Sequence, residues 1–227
     1  MAAPPPARIL PLGLPALDVA LPEGGLALGR LHEVLAPAGE AGTGFAAALL
    51  ARIAGAQGRV LWCGPAPYGP GLAAFGLDPD RVIFARTAPD AETLWAIEEG
   101  LRCPSLAAVL GEVGVLDLTA GRRLQLAAER WGVTALALRR HRRPDHRLGA
   151  PRLEPSAATT RWRVAPMPGA ADRARWNVEL LRCRGGTPRD FVLEWSHETG
   201  DLAVAAAVGH RSASPFGSGA PQADAAD

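Results

Sequence analysis

Two stretches of this chain carry residue types that could do chemistry. The first is Ala36-Pro37-Ala38-Gly39-Glu40-Ala41-Gly42-Thr43-Gly44, which lies between the strand-like run Leu31–Leu35 and the helical run Phe45–Ala56. A phosphate loop reads GxxxxGK[ST] in that context. Its backbone N–H groups and the positive end of the helix cradle the phosphate, and its lysine puts a cation on the transferring phosphoryl group. Pro37, Gly39, Gly42, Thr43 and Gly44 are the candidate phosphate contacts here. In the direct register Ala36 and Ala41 take the glycine positions and Gly42 the lysine position; a shift of one puts Thr43 there instead. All 24 basic residues are arginine, so no lysine exists to fill it. Such a loop can hold a phosphate weakly through its backbone and lacks the cation that hydrolysis needs. A strand–helix turn rich in small residues is the plainer reading of the same segment.

The second stretch is Arg139-Arg140-His141-Arg142-Arg143-Pro144-Asp145-His146-Arg147, after the apolar run Val133–Leu138. Arg139, Arg140, Arg142, Arg143 and Arg147 form a candidate patch for nucleic-acid phosphate or for an acidic partner surface, with a solvated loop as the alternative. His141 and His146 have no third ligand near them, so no metal is expected. Trp162, Trp176 and Trp195 could stack bases, but at strand spacing they read more naturally as packing residues. No GxSxG elbow or comparable nucleophile signature is present.

Stepping from these residues to the elements that must hold them, apolar runs alternate with helical patterns through the first two thirds. Arg59–Cys63, Arg81–Ala85, Leu106–Leu110 and Val133–Leu138 read as strands, and Asp90–Gly100 and Asp117–Trp131 as helices, with Asp90 and Asp117 as N-caps. The alternation predicts an α/β fold with a mainly parallel, doubly wound sheet. Thr159–Ala165, Trp176–Cys183, Phe191–Ser196 and Leu202–Ala206 are short strands joined by Gly185-Gly186 and Thr199-Gly200. They predict a C-terminal antiparallel extension, with Arg161 and Arg163 on the face opposite Trp162.

The bulk properties bound the function. At 227 residues, 48% apolar and 21% charged, the chain suits one globular domain, and a net charge of +1 does not by itself point to nucleic acid. Residues 1–10 are Pro-rich and 210–227 are Ser, Gly, Pro, Ala and Asp, so both read as flexible tails around a domain at 11–209. Cys63, Cys103 and Cys183 have no ligand spacing and read as reduced, buried thiols. The N-terminus shows no leader pattern and no run is long enough for a membrane span, so a cytoplasmic protein is expected.

Leu17-Asp18 with Gly24-Gly25-Leu26, then Gly29-Arg30 before the strand, resembles the approach to the phosphate loop in RecA recombinases. Val60–Cys63, Gly76–Val82 and Pro89–Leu110 continue the likeness. In RecA the last of these strands ends on an aspartate; here Gly111 stands there with Glu112 after it. No acid lies near Pro65-Ala66, where RecA's catalytic glutamate would fall. Over residues 10–209 the chain is more similar to the ImuA family, shortened RecA-like proteins encoded beside a Y-family-like polymerase homologue, ImuB. Ser156–Val164, Trp176–Gly186 and Glu194-Trp195 carry that resemblance. It implies a RecA-like P-loop NTPase fold with a degenerate loop and a non-catalytic adaptor role in SOS-induced, error-prone translesion synthesis. The implied partners are an ImuB-like protein, RecA and single-stranded DNA. No cofactor is implied beyond weak ATP binding, which would make the domain a nucleotide-sensing switch.

Overall fold

The computed structural model describes residues 8–37, 40–141, 154–170 and 172–208. A two-stranded pair, β1 (Ile9–Leu10) and β2 (Leu26–Ala27), flanks the short helix α1 (Pro15–Asp18). There follow β3 (Leu31–Pro37), α2 (Glu40–Ala54), β4 (Arg59–Cys63), α3 (Gly69–Ala73), β5 (Val82–Ala85) and α4 (Asp90–Leu101). The second half runs β6 (Leu106–Val113), α5 (Leu118–Trp131), β7 (Thr134–His141), β8 (Thr160–Met167), β9 (Arg173–Cys183), β10 (Arg189–Ser196) and β11 (Asp201–Val208).

Nine of these strands form one sheet in the order β11-β10-β9-β8-β3-β7-β6-β4-β5. From β8 to β5 every neighbouring pair is parallel; β8 to β11 are antiparallel. The expected α/β class, with a mainly parallel sheet and an antiparallel extension, is therefore present. The central strands are buried on both faces and read as near-continuous apolar runs, as parallel strands covered by helices must. α1, α2 and α3 cover one face together with Trp62, Trp162, Trp176 and Trp195, while α4 and α5 cover the other.

Local chemistry explains the element ends. Asp117 caps α5 by accepting from the Ala120 N–H at 2.7 Å, and Gly132 closes that helix at φ 71°. Asp90 departs from its expected capping role. Its carboxylate accepts from the N–H groups of Gly114 and Val115, both at 2.9 Å, and so ties α4 to the end of β6. Of the other boundaries that differ from the sequence reading, three bear on the site. α2 starts at Glu40, five residues before Phe45, while β6 and β7 run past their last expected residues to Val113 and His141. The apolar runs stop earlier, but the parallel ladder continues, pairing Glu112 with Leu138 and Ala36 with Arg140.

The three tryptophans weighed as stacking platforms are core residues, each at most 2% exposed. Phe45 meets Trp176 edge-on at 5.9 Å, and Phe75 lies 5.8 Å from Trp195, whose Nε1–H donates to the Ala74 carbonyl at 2.8 Å. Cys63 and Cys183 are buried thiols, whereas Cys103 is exposed, and all three are free. Arg163 and Trp162 take opposite faces of β8 as expected. The face bearing Arg163 is a ladder of ion pairs: Arg163 with Glu179 at 2.7 Å, and Arg173 and Arg175 with Glu194 at 2.6 and 2.9 Å.

Candidate functional site

At the C-terminal ends of β3, β4, β6 and β7 the sheet opens into a cleft of about 530 Å³, lined by Thr43, Pro65, Tyr68, Phe75, Glu112 and Arg140 among others. Ligands of open α/β sheets bind at this end of the strands. α2 brings its first turn to the cleft, and the Pro65-Ala66-Pro67-Tyr68 segment forms the opposite wall. Tyr68 is 77% exposed there. Gly64, at φ 135°, sits where a Cβ would lie 3.0 Å from that of Glu112, so β4 can leave the sheet close beside the acid only through glycine.

The floor of the cleft is a network of side chains. Alternation along β6 points Gly111 at α4, where an added Cβ would collide with Ile97, and turns Glu112 toward α2. Glu112 accepts from the Trp62 indole N–H at 3.0 Å and pairs with the guanidinium of Arg140. Arg140 also donates to the Thr43 hydroxyl at 2.9 Å. α2, β6 and β7 are thus joined by the protein's own groups. Glu112 is nearly buried, with its side chain 4% exposed against 33% for Arg140, so the pair is held partly out of water. Among the described residues the lining carries Glu40, Glu112 and Arg140 as charged groups, and Glu40 lies in the first turn of α2, at the positive end of the helix.

Within α2 the two glycines serve packing. A Cβ on Gly42 would lie 2.4 Å from that of Ala36, and one on Gly44 would lie 2.7 Å from the Phe75 ring.

No protein-family model matches the chain. Curated relatives named Protein ImuA, from Caulobacter vibrioides strains NA1000 and CB 15, are each 40% identical to it over 207 residues, 83% of this chain and 84% of theirs. The chain belongs to the ImuA family.

Of the residues the sequence singled out in this ImuA-family chain, Thr43 alone reaches the network on the cleft floor from the loop segment. Gly42 and Gly44 lie inside α2, Pro37 ends β3, and Gly39 lies outside the described residues. Arg139 and Arg140 sit within β7 rather than in a loop and point to opposite faces of the sheet. Arg140 enters the cleft, and Arg139 is 6% exposed beneath Glu154. These two arginines therefore share no exposed patch. Arg142, Arg143 and Arg147 lie outside the described residues, as do His146 and the tail at 210–227. Sequence reading missed the role of Glu112 and the contact of Arg140 with Thr43. The available signal was strand parity, which sets Glu112 and Arg140 on the α2 side once β6 and β7 are extended. Among the described residues no helix is long and apolar enough to cross a membrane.

Proposed function

We propose that this chain is a RecA-like accessory protein without catalytic activity, an adaptor that assembles with an ImuB-like polymerase homologue in error-prone translesion synthesis. The observation that carries the reading is the Arg140–Glu112–Thr43 network on the cleft floor. An ATPase of this architecture needs a lysine and a metal-binding acid free to meet phosphate and cation. Here Glu112 is engaged by an internal arginine, and the Thr43 hydroxyl is engaged by the same group. Membership of the ImuA family supports the cellular setting, and a cytoplasmic location goes with it. RecA is a second proposed partner. Arg142, Arg143 and Arg147 are the proposed contacts to single-stranded DNA or to an acidic partner face.

A second reading rests on the cleft itself, which is open beside Thr43 and large enough for a small ligand. In it the domain binds ATP without turnover and switches an interface. Co-purification of the full chain with the ImuB-like protein and with RecA, with and without ATP, separates the two. Assembly indifferent to ATP supports the adaptor, and assembly that requires ATP supports the switch.

A further inference from the structure

On the α5 face of the sheet, away from the cleft, two buried arginines converge on one segment of chain. Arg139 of β7 is 6% exposed and Arg161 of β8 is 3% exposed. Arg161 pairs with the buried Glu33 of β3, and its Nη1–H donates to the backbone carbonyl of Glu154 at 2.6 Å. Arg139 reaches the Glu154 carboxylate through Nη2 at 3.4 Å. Each guanidinium also keeps one buried N–H with no acceptor among the described residues: Nε of Arg139 and Nη2 of Arg161.

The energetics of the two arginines differ. Arg161 has a buried carboxylate and a short carbonyl contact in return for its desolvation. Arg139 has one long contact to a carboxylate whose side chain is 63% exposed, and such a pair contributes little. A buried guanidinium compensated so weakly is costly, and an orphaned N–H adds to the cost. Removing the Glu154 carboxylate would leave Arg139 without its carboxylate, beside a segment that Arg161 already holds, with one unpartnered donor on each guanidinium among the described residues.

We infer that Arg139 and Arg161 form a phosphate-binding site over which the Glu154 carboxylate lies as an internal stand-in. Two guanidinium groups on separate strands can offer the several oxygens of a phosphate more N–H donors than a planar carboxylate, which takes a single fork, can use. The strap bearing Glu154 is pinned further along, where Arg182 donates to the Ser156 carbonyl and the Thr159 N–H donates to the Leu31 carbonyl at 2.8 Å. Displacing Glu154 therefore need not unseat the strap beyond it. The site is separate from the cleft and independent of the adaptor role, so it stands or falls without ATP or a partner protein.

The test is the thermal unfolding and equilibrium binding of the full chain titrated with inorganic phosphate, against chloride at matched ionic strength. A saturable rise in Tm specific to phosphate is expected. Glu154→Gln, which removes the competing charge at an exposed side chain, should tighten phosphate binding about tenfold, equivalent to about 1.4 kcal/mol. Arg139→Gln should abolish the saturable response while the chain still unfolds cooperatively. A short single-stranded oligonucleotide that competes with phosphate would identify the source as nucleic-acid backbone, and one that does not would leave phosphate itself or a phosphorylated group. A response that follows ionic strength alone, or an affinity unchanged in Glu154→Gln, would overturn the inference.

Discussion

The hydroxyl of Thr160 links two side chains, Trp162 and His32, that would otherwise bury unmet polar groups. It accepts from the Trp162 indole N–H at 2.7 Å and lies 2.7 Å from His32 Nδ1, while His32 Nε2 lies 2.9 Å from the Ala27 carbonyl. Because that carbonyl can only accept, Nε2 carries the proton and Nδ1 accepts from Thr160. Thr160→Val should therefore destabilise the fold by about 2–3 kcal/mol, read from chemical denaturation, because it orphans two buried groups at once. Burial, offset in part by the Ala27 hydrogen bond, lowers the His32 pKa to about 4. The unfolded chain, with its ordinary value near 6.5, takes up this proton first. The contribution to stability is then complete above about pH 6.5 and is lost as pH falls toward 4, by about 3 kcal/mol in all. Denaturation at a series of pH values, with an NMR titration of His32, checks both sign and window. At the cleft floor, Arg140→Ala leaves the nearly buried Glu112 without its cation. It should cost about 2 kcal/mol, discounted from a fully buried pair because Arg140 is partly solvated.

At the scale of elements, the helix that would hold a phosphate loop is positioned by glycines that pack. Gly42→Ala places a methyl group against Ala36 on β3, where neither backbone can yield easily. A loss of about 1–3 kcal/mol in stability is expected, with no change in nucleotide response. The sequence could offer Gly42 and Gly44 as phosphate contacts because glycine supplies both close approach and close packing, and composition does not separate the two uses. Strand ends were hard to read for a related reason. Charged residues at the ends of β6 and β7 look like loop, yet ladder pairing with β3 and β7 carries the backbone on through Glu112 and Arg140. The alternation of the sheet strands with α2, α4 and α5 was legible, since burial on both faces of a parallel sheet imposes apolar runs, whereas α1, α3 and the β1–β2 pair are too short to show a period. So were the facing preferences of Trp162 and Arg163. Glu33→Ala, which strips the buried partner from Arg161, should cost about 3–5 kcal/mol or prevent folding, read as lost soluble yield or lowered Tm.

For the molecule as a whole, a single sheet carries both the cleft and, on the opposite face, the Arg139–Arg161 cluster. Partners or ligands at the two places therefore meet different faces of that sheet. The absent lysine was plain in the sequence, because it needs only a count of residue types. The Glu112–Arg140–Thr43 network was not, because it joins residues 28 and 97 positions apart that only the folded sheet brings together. The adaptor reading, in which internal groups occupy the place of a nucleotide, is checked by calorimetric titration of the full chain with magnesium-ATP. It predicts no saturable heat at millimolar nucleotide and no rise in Tm. Saturable micromolar binding, with the corresponding thermal stabilisation, would contradict it.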